Sequence, residues 1–403
     1  MARILMIAYS TYICDGRVKR HAEALVERGD TVDVICLDPG QPMEPSGVNV
    51  LAVHTPRYRG GSRSRYVLSY LSFFSAAVWI AARLSARRPY DLVIVCSIPD
   101  AAVLCALPPK LFGSKVLLDI HDTMPELYQE KFGGRRGALG ARLLMFEERA
   151  SAWFADRVLA VHDLHARRLR DSGISPDKID VVLNSPDPRL FPPHQNGRAN
   201  GACIPFTLMT HGTIGRRLGL DTAIEAVNIL RDRIPGVRLR VLGIGDYLNE
   251  ARAHTARLGL IDRVCFEDRV PIERLASVLE QASVGLVPND ASCATHLMLP
   301  VKLLEYATLG IPIVAARLRT IEHYFGDDSV RYFEPGDPAS LADAIEDLHS
   351  HPERRHALAN RASEVAANLS WPKQRQQYYA TIDSLLALNG AQNPMAQSIN
   401  PLL

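Results

Sequence analysis

Short apolar runs alternate with segments of helical period along this 403-residue chain, and the whole pattern occurs twice. Runs such as Ile4–Ala8 are followed by amphipathic segments such as 18–28, and this order predicts a parallel sheet with helices on both faces. The alternation stops between Asn184 and Gly201, where Pro and Asn are frequent, and it restarts at Phe206. We therefore predict an α/β chain with two Rossmann-like domains that face each other across a cleft.

The domain boundaries follow from the same pattern. Residues 1–195 and 196–370 are predicted to form the two domains, because the turn-rich linker separates them. Residues 371–388 form a last periodic helix that we expect to pack back on the N-terminal domain. The tail at 389–403 contains Gly, Asn, Gln and Pro and is predicted to be flexible.

The composition argues against several classes of protein. Hydrophobic residues make up 47% of the chain and charged residues 22%, which argues against disorder and against a multi-span membrane protein. The formal net charge is +2 and charges of both signs are interspersed outside one basic patch, so nucleic-acid binding is not expected. The seven cysteines are scattered without a CxxC pair, and a strand-like run follows Met1 directly, without a signal sequence. Both features predict a cytoplasmic protein with reduced cysteines.

In open parallel sheets, ligands bind beyond the carboxyl ends of the strands, so the loops at those ends form the candidate site. The loop His211–Gly219 follows the first strand of the second half and contains Gly212, Thr213, Arg216 and Arg217. Glycine lets the backbone approach a phosphate closely, and arginine supplies charge and a bidentate fork for the phosphate oxygens. A glycine-rich turn with solvated arginines is the alternative, since the loop lacks the Gly-Lys-Ser/Thr ending of a P-loop.

A second loop, Gly243-Ile244-Gly245-Asp246, also lies between a strand and a helix. Its position makes Gly243 and Gly245 candidates for contact with the same ligand. A tight turn in which Asp246 caps the helix explains this sequence equally well.

The segment Leu-Pro-Val-Lys-Leu-Leu-Glu-Tyr, which begins at Leu299, carries the most specific signal. Pro300 suits the first position of a helix, so the backbone N–H groups after it, from Val301 onward, would point at an anion. Lys302 lies in that first turn, and Glu305 lies one turn further on, where a carboxylate can accept two ribose hydroxyls. A nucleoside diphosphate would suit both side chains. The alternative is that Glu305 is an ordinary surface residue.

Two loops of the first half also carry polar residues. Asp15, Gly16 and Arg17 open the helix after the first strand, and His121 and Asp122 follow a later strand. These residues are predicted to contact a ligand in the cleft. The alternatives are a capped turn at Asp15, and a structural role for Asp122 and a hydrogen-bonded His121.

Together these motifs resemble the retaining GT-B glycosyltransferases of group 1, also called family 4. The resemblance spans essentially the whole chain and rests on Asp-Gly-Arg-Val, Asp-Ile-His-Asp, the Gly212–Gly219 loop, and the Leu299 segment with its Gly-Ile-Pro-Ile-Val sequel. The usual family signature has two Glu residues separated by seven residues. Glu305 matches the second Glu, whereas the first falls on Leu297. The chain is therefore more similar to a subgroup with Leu-Pro-x-Lys-Leu-x-Glu-Tyr.

Because the first Glu of the signature is missing, other residues are expected to contact the donor sugar. The resemblance implies that Glu305 binds the ribose of the donor, and that Asn289, Asp290 or His296 contacts the donor sugar. The set of donor-binding residues would be completed by Gly212, Thr213, Gly243, Gly245, Leu299, Pro300 and Val301.

The positively charged side chains expected at the pyrophosphate also lie at other positions than in the family. The Gly-Arg and Lys-Gly pairs of the family fall here on Gly212-Thr213 and Leu218-Gly219, so neither cation lies in its usual place. Arg217, helped by Arg216, and Lys302 would therefore neutralise the pyrophosphate.

The implied activity is transfer of a sugar, with retention, from a nucleotide-sugar to a hydroxyl of a glycan, a lipid-linked acceptor or a small molecule. By resemblance the donor would be a UDP-sugar bound by the C-terminal domain, and the acceptor would enter on the face from which the diphosphate leaves. The catalytic residues would be His121, Arg217 and Lys302, and the acceptor-side residues would be Asp15, Gly16, Arg17 and Asp122.

Neither a metal nor a cofactor is expected, because fixed cations can stabilise the leaving group. Two alternatives to a transferase remain open. One is an epimerase of nucleotide-sugars on the same fold, and the other is a non-catalytic partner that binds a nucleotide-sugar.

One further segment is both basic and aromatic. Residues 66–82 contain no charge and are bracketed by arginines, and no acidic residue occurs between Glu44 and Asp91. Trp, Tyr and Phe beside Arg suit a lipid headgroup region, so Tyr66–Arg88 is a candidate contact with an anionic membrane at the inner face of the plasma membrane. The alternative is a helix that packs its apolar face on the first sheet and leaves its arginines in solvent.

Overall fold

The computed structural model of the protein describes residues 1–38, 40, 46–55, 63–193 and 205–392. These residues fold into two compact units. The first unit combines Met1–Leu183 with the chain from Gln374 onward, and the second comprises Asn184–Lys373. Each unit is built on a parallel sheet, which confirms the prediction of two Rossmann-like domains.

The first unit contains a seven-stranded sheet in the order β3-β2-β1-β4-β5-β6-β7. Its parallel strands are β1 (Arg3–Thr11), β2 (Thr31–Leu37), β3 (Asn49–Val53), β4 (Leu92–Cys96), β5 (Lys115–Ile120), β6 (Arg157–Ala160) and β7 (Ile179–Val181). Strands in the middle of such a sheet are apolar along their whole length because both of their faces are covered. All five residues of β4 are accordingly buried.

The helices of the first unit are α1 (Gly16–Glu27), α2 (Arg63–Arg87), α3 (Leu107–Leu111), α4 (Met124–Phe132), α5 (Gly134–Phe154) and α6 (Asp163–Asp171). α1 begins where it does because the Asp15 carboxylate accepts the backbone N–H of Val18 at 3.1 Å, as an N-cap residue does. In α2, Phe73, Ala77 and Ala81 recur every four residues and are fully buried, so one stripe of this helix packs on the sheet.

The second unit contains a six-stranded sheet in the order β10-β9-β8-β11-β12-β13, which repeats the strand order of the first. Its strands are β8 (Thr207–Thr213), β9 (Arg238–Ile244), β10 (Val264–Glu267), β11 (Val284–Val287), β12 (Ile313–Ala316) and β13 (Arg331–Phe333). Its helices are α7 (Leu220–Leu230), α8 (Leu248–Arg257), α9 (Ile272–Leu279), α10 (Val301–Thr308), α11 (Arg319–Tyr324), α12 (Pro338–Ser350) and α13 (Pro352–Asn368).

The last helix, α14 (Trp371–Gln392), returns the chain to the first unit. The Tyr378 ring stacks on His21 with 4.3 Å between ring centroids, and the Tyr379 hydroxyl donates to the Ala24 carbonyl at 2.6 Å. Both partners belong to α1, so α14 packs on that helix.

The boundary between the units lies after Leu183, earlier than the boundary predicted after residue 195. Phe191 is buried in the hydrophobic core of the second unit, and the Ser185 hydroxyl donates to the Leu369 carbonyl there. These contacts explain why the turn-rich residues before 194 belong to the second unit. Residues 194–204, which contain the predicted boundary, lie outside the described part of the chain.

Three helical segments differ from the sequence prediction. α4 and α11 were not predicted, because a Pro-containing polar turn precedes the first and the second is only six residues long. The sequence also predicts one helix over 101–111, but the structure divides this stretch into a 3-10 segment, Asp100–Ala106, and the short α3. Pro108 and Pro109 lack an N–H group and cannot continue the hydrogen bonds of an α-helix that began earlier.

Asp100 is a buried carboxyl group that makes stability depend on pH. It is 1% exposed, and burial together with Glu147 and Glu148 raises its pKa from 3.8 to about 8. The pKa of Asp100 is higher in the folded protein than in the unfolded chain. The folded state is therefore more stable at low pH, where Asp100 is protonated. This contribution is lost progressively as the pH rises from about 4 to about 8, since only the unfolded chain then releases the proton freely.

We therefore expect Asp100→Asn to unfold at a higher temperature than the wild type at pH 8, with a gain on the order of 1–3 kcal/mol. The gain should shrink when thermal unfolding is measured at pH 5.5. Asp177→Asn, at an exposed position, is the matched control and should show no such trend. A gain for Asp100→Asn that does not grow with pH would contradict this account.

Candidate functional site

β8 and β11 are adjacent parallel strands at which the strand order of the second sheet reverses. In sheets of this kind a crevice opens beyond the carboxyl ends of the two strands, and ligands bind there. The crevice is bordered by the loop that leads from β8 into α7 and by the loop that leads from β11 into α10. Both loops were predicted to form the site.

The two loops contact each other through their backbones. Gly219 has φ = 69°, and a Cβ atom at this position would overlap the Pro288 carbonyl oxygen, so only glycine fits. The backbone N–H of Asp290 donates to the Arg217 carbonyl at 3.1 Å. The geometry of one loop is therefore fixed by the other.

Gly243 and Gly245 also allow one loop to pack closely on another. A Cβ atom at Gly243 would overlap the Gly212 carbonyl oxygen, and one at Gly245 would overlap the Ile214 carbonyl oxygen. Close packing of the loop after β9 on the loop after β8 therefore accounts for both glycines without a ligand. Gly212 differs from them, because no atom lies within 4 Å of the position its Cβ would take.

Two helices start at this crevice. Gly219 precedes α7 and Pro300 precedes α10, and neither helix has a hydrogen bond from a capping side chain. Pro300 is the N-cap residue and Val301 the first helical residue, one position later than predicted. Uncapped N–H groups at a helix start, together with the helix dipole, suit an anion.

Lys302 and Glu305 lie one turn apart on α10, as the sequence predicted. The Lys302 ammonium group donates to the Thr210 hydroxyl at 3.3 Å, and burial lowers the pKa of Lys302 to about 8, because the nearby Glu305 compensates only in part. Glu305 is buried, and its Oε2 atom lies 2.6 Å from Nε2 of His211. The half-buried charge of Lys302 is thus one that an anion would stabilise.

His211 and Tyr306 complete this site, and sequence reasoning did not select either of them. The Tyr306 hydroxyl donates to the Met209 carbonyl at 3.0 Å and lies 2.9 Å from Nδ1 of His211, so His211 is held from both sides of its ring. Nε2 of the same ring lies 2.6 Å from Oε2 of Glu305. His211 therefore orients Glu305. Its position at the end of β8 was the signal that could have identified it.

An open pocket with about 280 Å³ of empty space lies beside Lys302 and His211. Two predicted residues, Thr213 and Lys302, line it. The other lining residues are Thr210, His211, Ile214, Gly215, Leu218, Leu220, Val241, Leu242 and Pro288.

The two predicted arginines lie outside this lining. Arg216 and Arg217 are exposed, and the Arg216 guanidinium stacks 4.7 Å from the centroid of the Tyr247 ring. Arg216 is therefore held against the second loop, whereas the part played by Arg217 stays a prediction.

Three residues, Asn289, Asp290 and His296, were predicted to contact the donor sugar in place of the missing Glu. Their surroundings in the structure differ. Asn289 is buried and its amide donates to the Met298 sulfur at 3.6 Å, and its contact with a sugar stays a prediction. Nδ1 of His296 accepts the backbone N–H of Arg319, which ties the ring to α11. Asp290 is half-buried, and its backbone joins the two loops.

Leu299 and Val301 are half-buried on either side of Pro300, and Leu299 packs against the core of the second unit. The prediction that their backbones face the ligand stays a prediction.

In the first unit, Arg17 and Asp119 form a buried ion pair. Nε and Nη2 of Arg17 donate to the two carboxylate oxygens of Asp119 at 3.0 and 2.7 Å, and Nη1 donates to the Val182 carbonyl. Arg17 is 3% exposed. The prediction that Arg17 contacts an acceptor is therefore corrected, because its guanidinium is committed to the interior.

His121 is attached to the same carboxylate. Its Nε2 lies 3.1 Å from Oδ2 of Asp119, and its backbone N–H donates to the Ser97 hydroxyl at 3.2 Å. Burial alone would lower the pKa of His121, but the Asp119 carboxylate outweighs burial and raises it. Burial alone would likewise raise the pKa of Asp119, yet Arg17 and His121 hold it well below its usual range.

Cys96, Asp119 and His121 bring three potential metal ligands within 4.8 Å of one another. Arg17 already occupies both oxygens of Asp119, and burial together with Asp119 raises the pKa of the Cys96 thiol well above its ordinary value. A neutral thiol and a carboxylate paired with arginine make a poor cation site, so the cluster is better described as a hydrogen-bonded support for His121.

The remaining predicted residues of the first unit lie around this support. Asp15 is the N-cap residue of α1, Gly16 is the exposed first residue of that helix, and Asp122 is exposed after β5. None of these placements tests a contact with an acceptor.

Solved structures define the fold class of the chain. A sucrose-phosphate synthase from Thermosynechococcus elongatus has a TM-score of 0.77 at 19% sequence identity, over 96% of this chain and 100% of its own. HepE from Anabaena, in complex with UDP-glucose, has a TM-score of 0.72 at 17% identity, over 95% and 100%. The likeness establishes the GT-B fold, a pair of Rossmann-like domains.

Sequence comparison then defines the family. Residues 16–185 match the glycosyl transferase 4-like domain, and residues 205–365 match the glycosyl transferases of group 1. The chain therefore belongs to the group 1 glycosyltransferase family, as its motifs predicted.

Curated relatives match parts of the chain. The D-inositol 3-phosphate glycosyltransferase of Corynebacterium diphtheriae is 27% identical over 238 residues, which are 56% of this chain and 55% of the relative. WcaL of Salmonella typhimurium, named for colanic acid biosynthesis, is 30% identical over 161 residues, 40% of this chain and 39% of its own. The chain thus matches about half or less of the length of these relatives.

Proposed function

We propose that the protein is a retaining glycosyltransferase that moves a sugar from a nucleotide-sugar to an acceptor hydroxyl. The observation that carries the proposal is the placement of Lys302 and Glu305 on one turn of α10, beside a helix start without a side-chain cap. Lys302 offers a charge to a diphosphate, and Glu305 offers a carboxylate to a ribose. The UDP-glucose complex of HepE, a protein of the same fold, supports a UDP-sugar as the donor.

The leaving group of this reaction is a nucleoside diphosphate, so stabilising its growing negative charge should lower the barrier most. Lys302 and the uncapped N–H groups of α7 and α10 would provide this stabilisation. Arg217, exposed on the loop after β8, would supply a second positive charge. Since fixed charges can replace a cation, we propose a reaction without a metal ion or a cofactor.

His121 would act on the acceptor side of the reaction. Its ring is oriented by Asp119, and Asp119 is itself fixed by Arg17. A group held in this way suits the positioning of a hydroxyl or of the transferred sugar. Entry of the acceptor on the face from which the diphosphate departs would then account for retention without a covalent intermediate.

We propose a hydroxyl of a glycan or of a lipid-linked glycan as the acceptor, at the cytoplasmic face of the membrane. The similarity to WcaL, a protein named for colanic acid biosynthesis, supports an acceptor in polysaccharide assembly.

A thermal-shift panel of nucleoside diphosphates and nucleotide-sugars tests this function. A ligand that binds only the folded state raises the unfolding midpoint, so at least one diphosphate should do so more strongly than its monophosphate. The ligand with the largest shift is then incubated with the protein without an acceptor. Epimerisation of the sugar in that incubation would favour an epimerase, and a panel in which no nucleotide shifts the midpoint would overturn the proposal.

A further inference from the structure

α5 carries a stripe of large apolar side chains that face solvent. Leu139, Leu143, Phe146 and Trp153 are 71%, 68%, 69% and 81% exposed. Their spacing of four, three and seven residues places them on one face of the helix. The residues that are buried on the opposite face are mostly Gly, Ala and Ser. The four large apolar side chains of the stripe therefore lie on the solvent side of the helix, where a surface helix is normally polar.

The stripe continues on neighbouring segments of the same layer. Buried residues of α2, of the 3-10 segment 100–106 and of α5 belong to one hydrophobic core, so these segments cover one face of the first sheet. The exposed apolar residues of these segments, of α3 and of the position after it include Leu68, Leu71, Trp79, Leu104, Leu111 and Phe112. Of the seventeen large apolar residues that are exposed in the described part of the chain, eleven lie on α2, the 3-10 segment, α3 and α5, and Phe112 directly follows α3. The concentration is therefore a property of this face and not of the whole surface.

The charges on this face have one sign. Arg83 on α2 and Arg135, Arg136, Arg142 and Arg149 on α5 are exposed. These segments contain three carboxylates, and none of them is exposed. Asp100 and Glu148 are buried, and Glu147 is half-buried and accepts the backbone N–H of Ala101. Among the described side chains of α2, α3, α5 and the 3-10 segment, none is an exposed carboxylate.

We propose that this face, formed by the outer sides of α2, α3, α5 and the 3-10 segment, docks on a bilayer that contains anionic phospholipid. Exposed aromatic and aliphatic side chains would enter the headgroup region, and the arginines around them would pair with lipid phosphates. The proposal enlarges the contact predicted for Tyr66–Arg88, since the longest apolar stripe lies on α5, which the sequence interpretation did not select. It goes beyond the proposed enzymatic activity and does not depend on it.

The helices lie on the bilayer surface and do not cross it. Within the described residues, Leu68–Arg87 of α2 is the segment long and apolar enough for a span, and 28% of it is buried in the protein. Phe73 of this helix is fully buried in the core, and the Ser69 hydroxyl hydrogen-bonds the Tyr9 hydroxyl at 2.6 Å. A spanning helix would have to give up these contacts with the sheet.

Tryptophan fluorescence with vesicles tests the proposal directly, because two of the three tryptophans lie on the face. Trp79 and Trp153 are 60% and 81% exposed, whereas Trp371 is buried. Vesicles of phosphatidylcholine with phosphatidylglycerol should shift the emission to shorter wavelength and carry the protein upward in a flotation gradient. Vesicles of phosphatidylcholine alone should bind much less, and high salt should weaken binding to the anionic vesicles.

Two variants separate the apolar and the basic contributions. Leu143→Ser with Phe146→Ser should lower vesicle binding at least about tenfold. Arg142→Gln with Arg149→Gln should lower it about thirtyfold at low salt and reduce its salt dependence, since Arg83, Arg135 and Arg136 remain. Ile261→Ser, at a 72% exposed apolar position of the second unit, is the matched control and should bind like the wild type.

Each variant is also tested for nucleotide-induced thermal stabilisation, which reports on the second unit and on correct folding. Unchanged nucleotide binding with lost vesicle binding supports the docking face. Equal vesicle binding by wild type and both variants would overturn it. The proposal would also be overturned if the wild type were dimeric in solution without lipid, and the serine variants monomeric, because a second copy would then cover the face.

Discussion

Lys302→Met is expected to lower kcat/KM about 10²–10³-fold while the protein stays folded. Methionine keeps the apolar stem of the side chain and removes the ammonium group that lies at the start of α10 and donates to Thr210. No other lysine or arginine lines the pocket beyond β8 and β11 among the described residues, so the lining itself holds no charge that could replace that of Lys302. The measurement is the initial rate of sugar transfer, together with the dissociation constant of the nucleoside diphosphate.

Two further variants control this experiment. Lys373→Met removes the other lysine of the second unit, which is exposed and donates to the Asn368 side chain, and it should leave both quantities unchanged. Lys302→Arg keeps the charge and should recover part of the activity. If Lys302→Met retains activity within tenfold of the wild type, Lys302 does not stabilise the leaving group.

The pH dependence of the wild type provides a second readout of the same residue. Burial lowers the pKa of Lys302 to about 8, so the ammonium form is present below this pH and is lost above it. If the reaction needs the charge, kcat/KM should fall as the pH rises through about 8. In Lys302→Arg this alkaline fall should disappear, because arginine stays charged.

The second large effect is expected in the first unit. Asp119→Asn leaves the guanidinium of Arg17 buried without a counter-charge, and the loss of one partner of a buried ion pair costs about 3–5 kcal/mol. The unfolding midpoint in urea should drop accordingly. Asp122→Asn, at an exposed position of the same turn, should have little effect.

A double variant distinguishes the ion pair from other contacts of Asp119. Arg17→Met with Asp119→Leu removes both charges, and it should be more stable than Asp119→Asn even though it differs from the wild type at two positions. If Asp119→Asn is within 1 kcal/mol of the wild type, the pair does not support the cluster around His121.

The fold was largely predictable because its signals are local. Five apolar residues between turns predict β4, and the long uncharged segment 66–82 predicts α2. The boundary between the units was less predictable, because Phe191 and Ser185 lie in a stretch rich in turns and join the second unit through contacts distant in sequence. Short elements such as α11 also escaped prediction, since six residues contain too little of a helical period.

The placement of Lys302 and Glu305 on one turn of α10 was predictable, because the motif fixes both their spacing and the helix that carries them. A contact was not predictable where the partner lies far away in sequence. Arg17 looked available in its loop, but Asp119, 102 residues later, binds it in the interior. His211 was passed over for the same reason, because its role depends on Glu305, 94 residues away.

The central claim is that the second unit binds a nucleoside diphosphate, with Lys302 at the phosphates and Glu305 at the ribose. Calorimetric titration tests the ribose contact most directly, with the diphosphate that stabilises the protein best and with its 2′,3′-dideoxy analogue. The wild type should bind the natural nucleotide more tightly than the analogue, and Glu305→Ala should bind both equally weakly. If Glu305→Ala still distinguishes the two as the wild type does, or if the wild type binds neither, the account of this site is wrong.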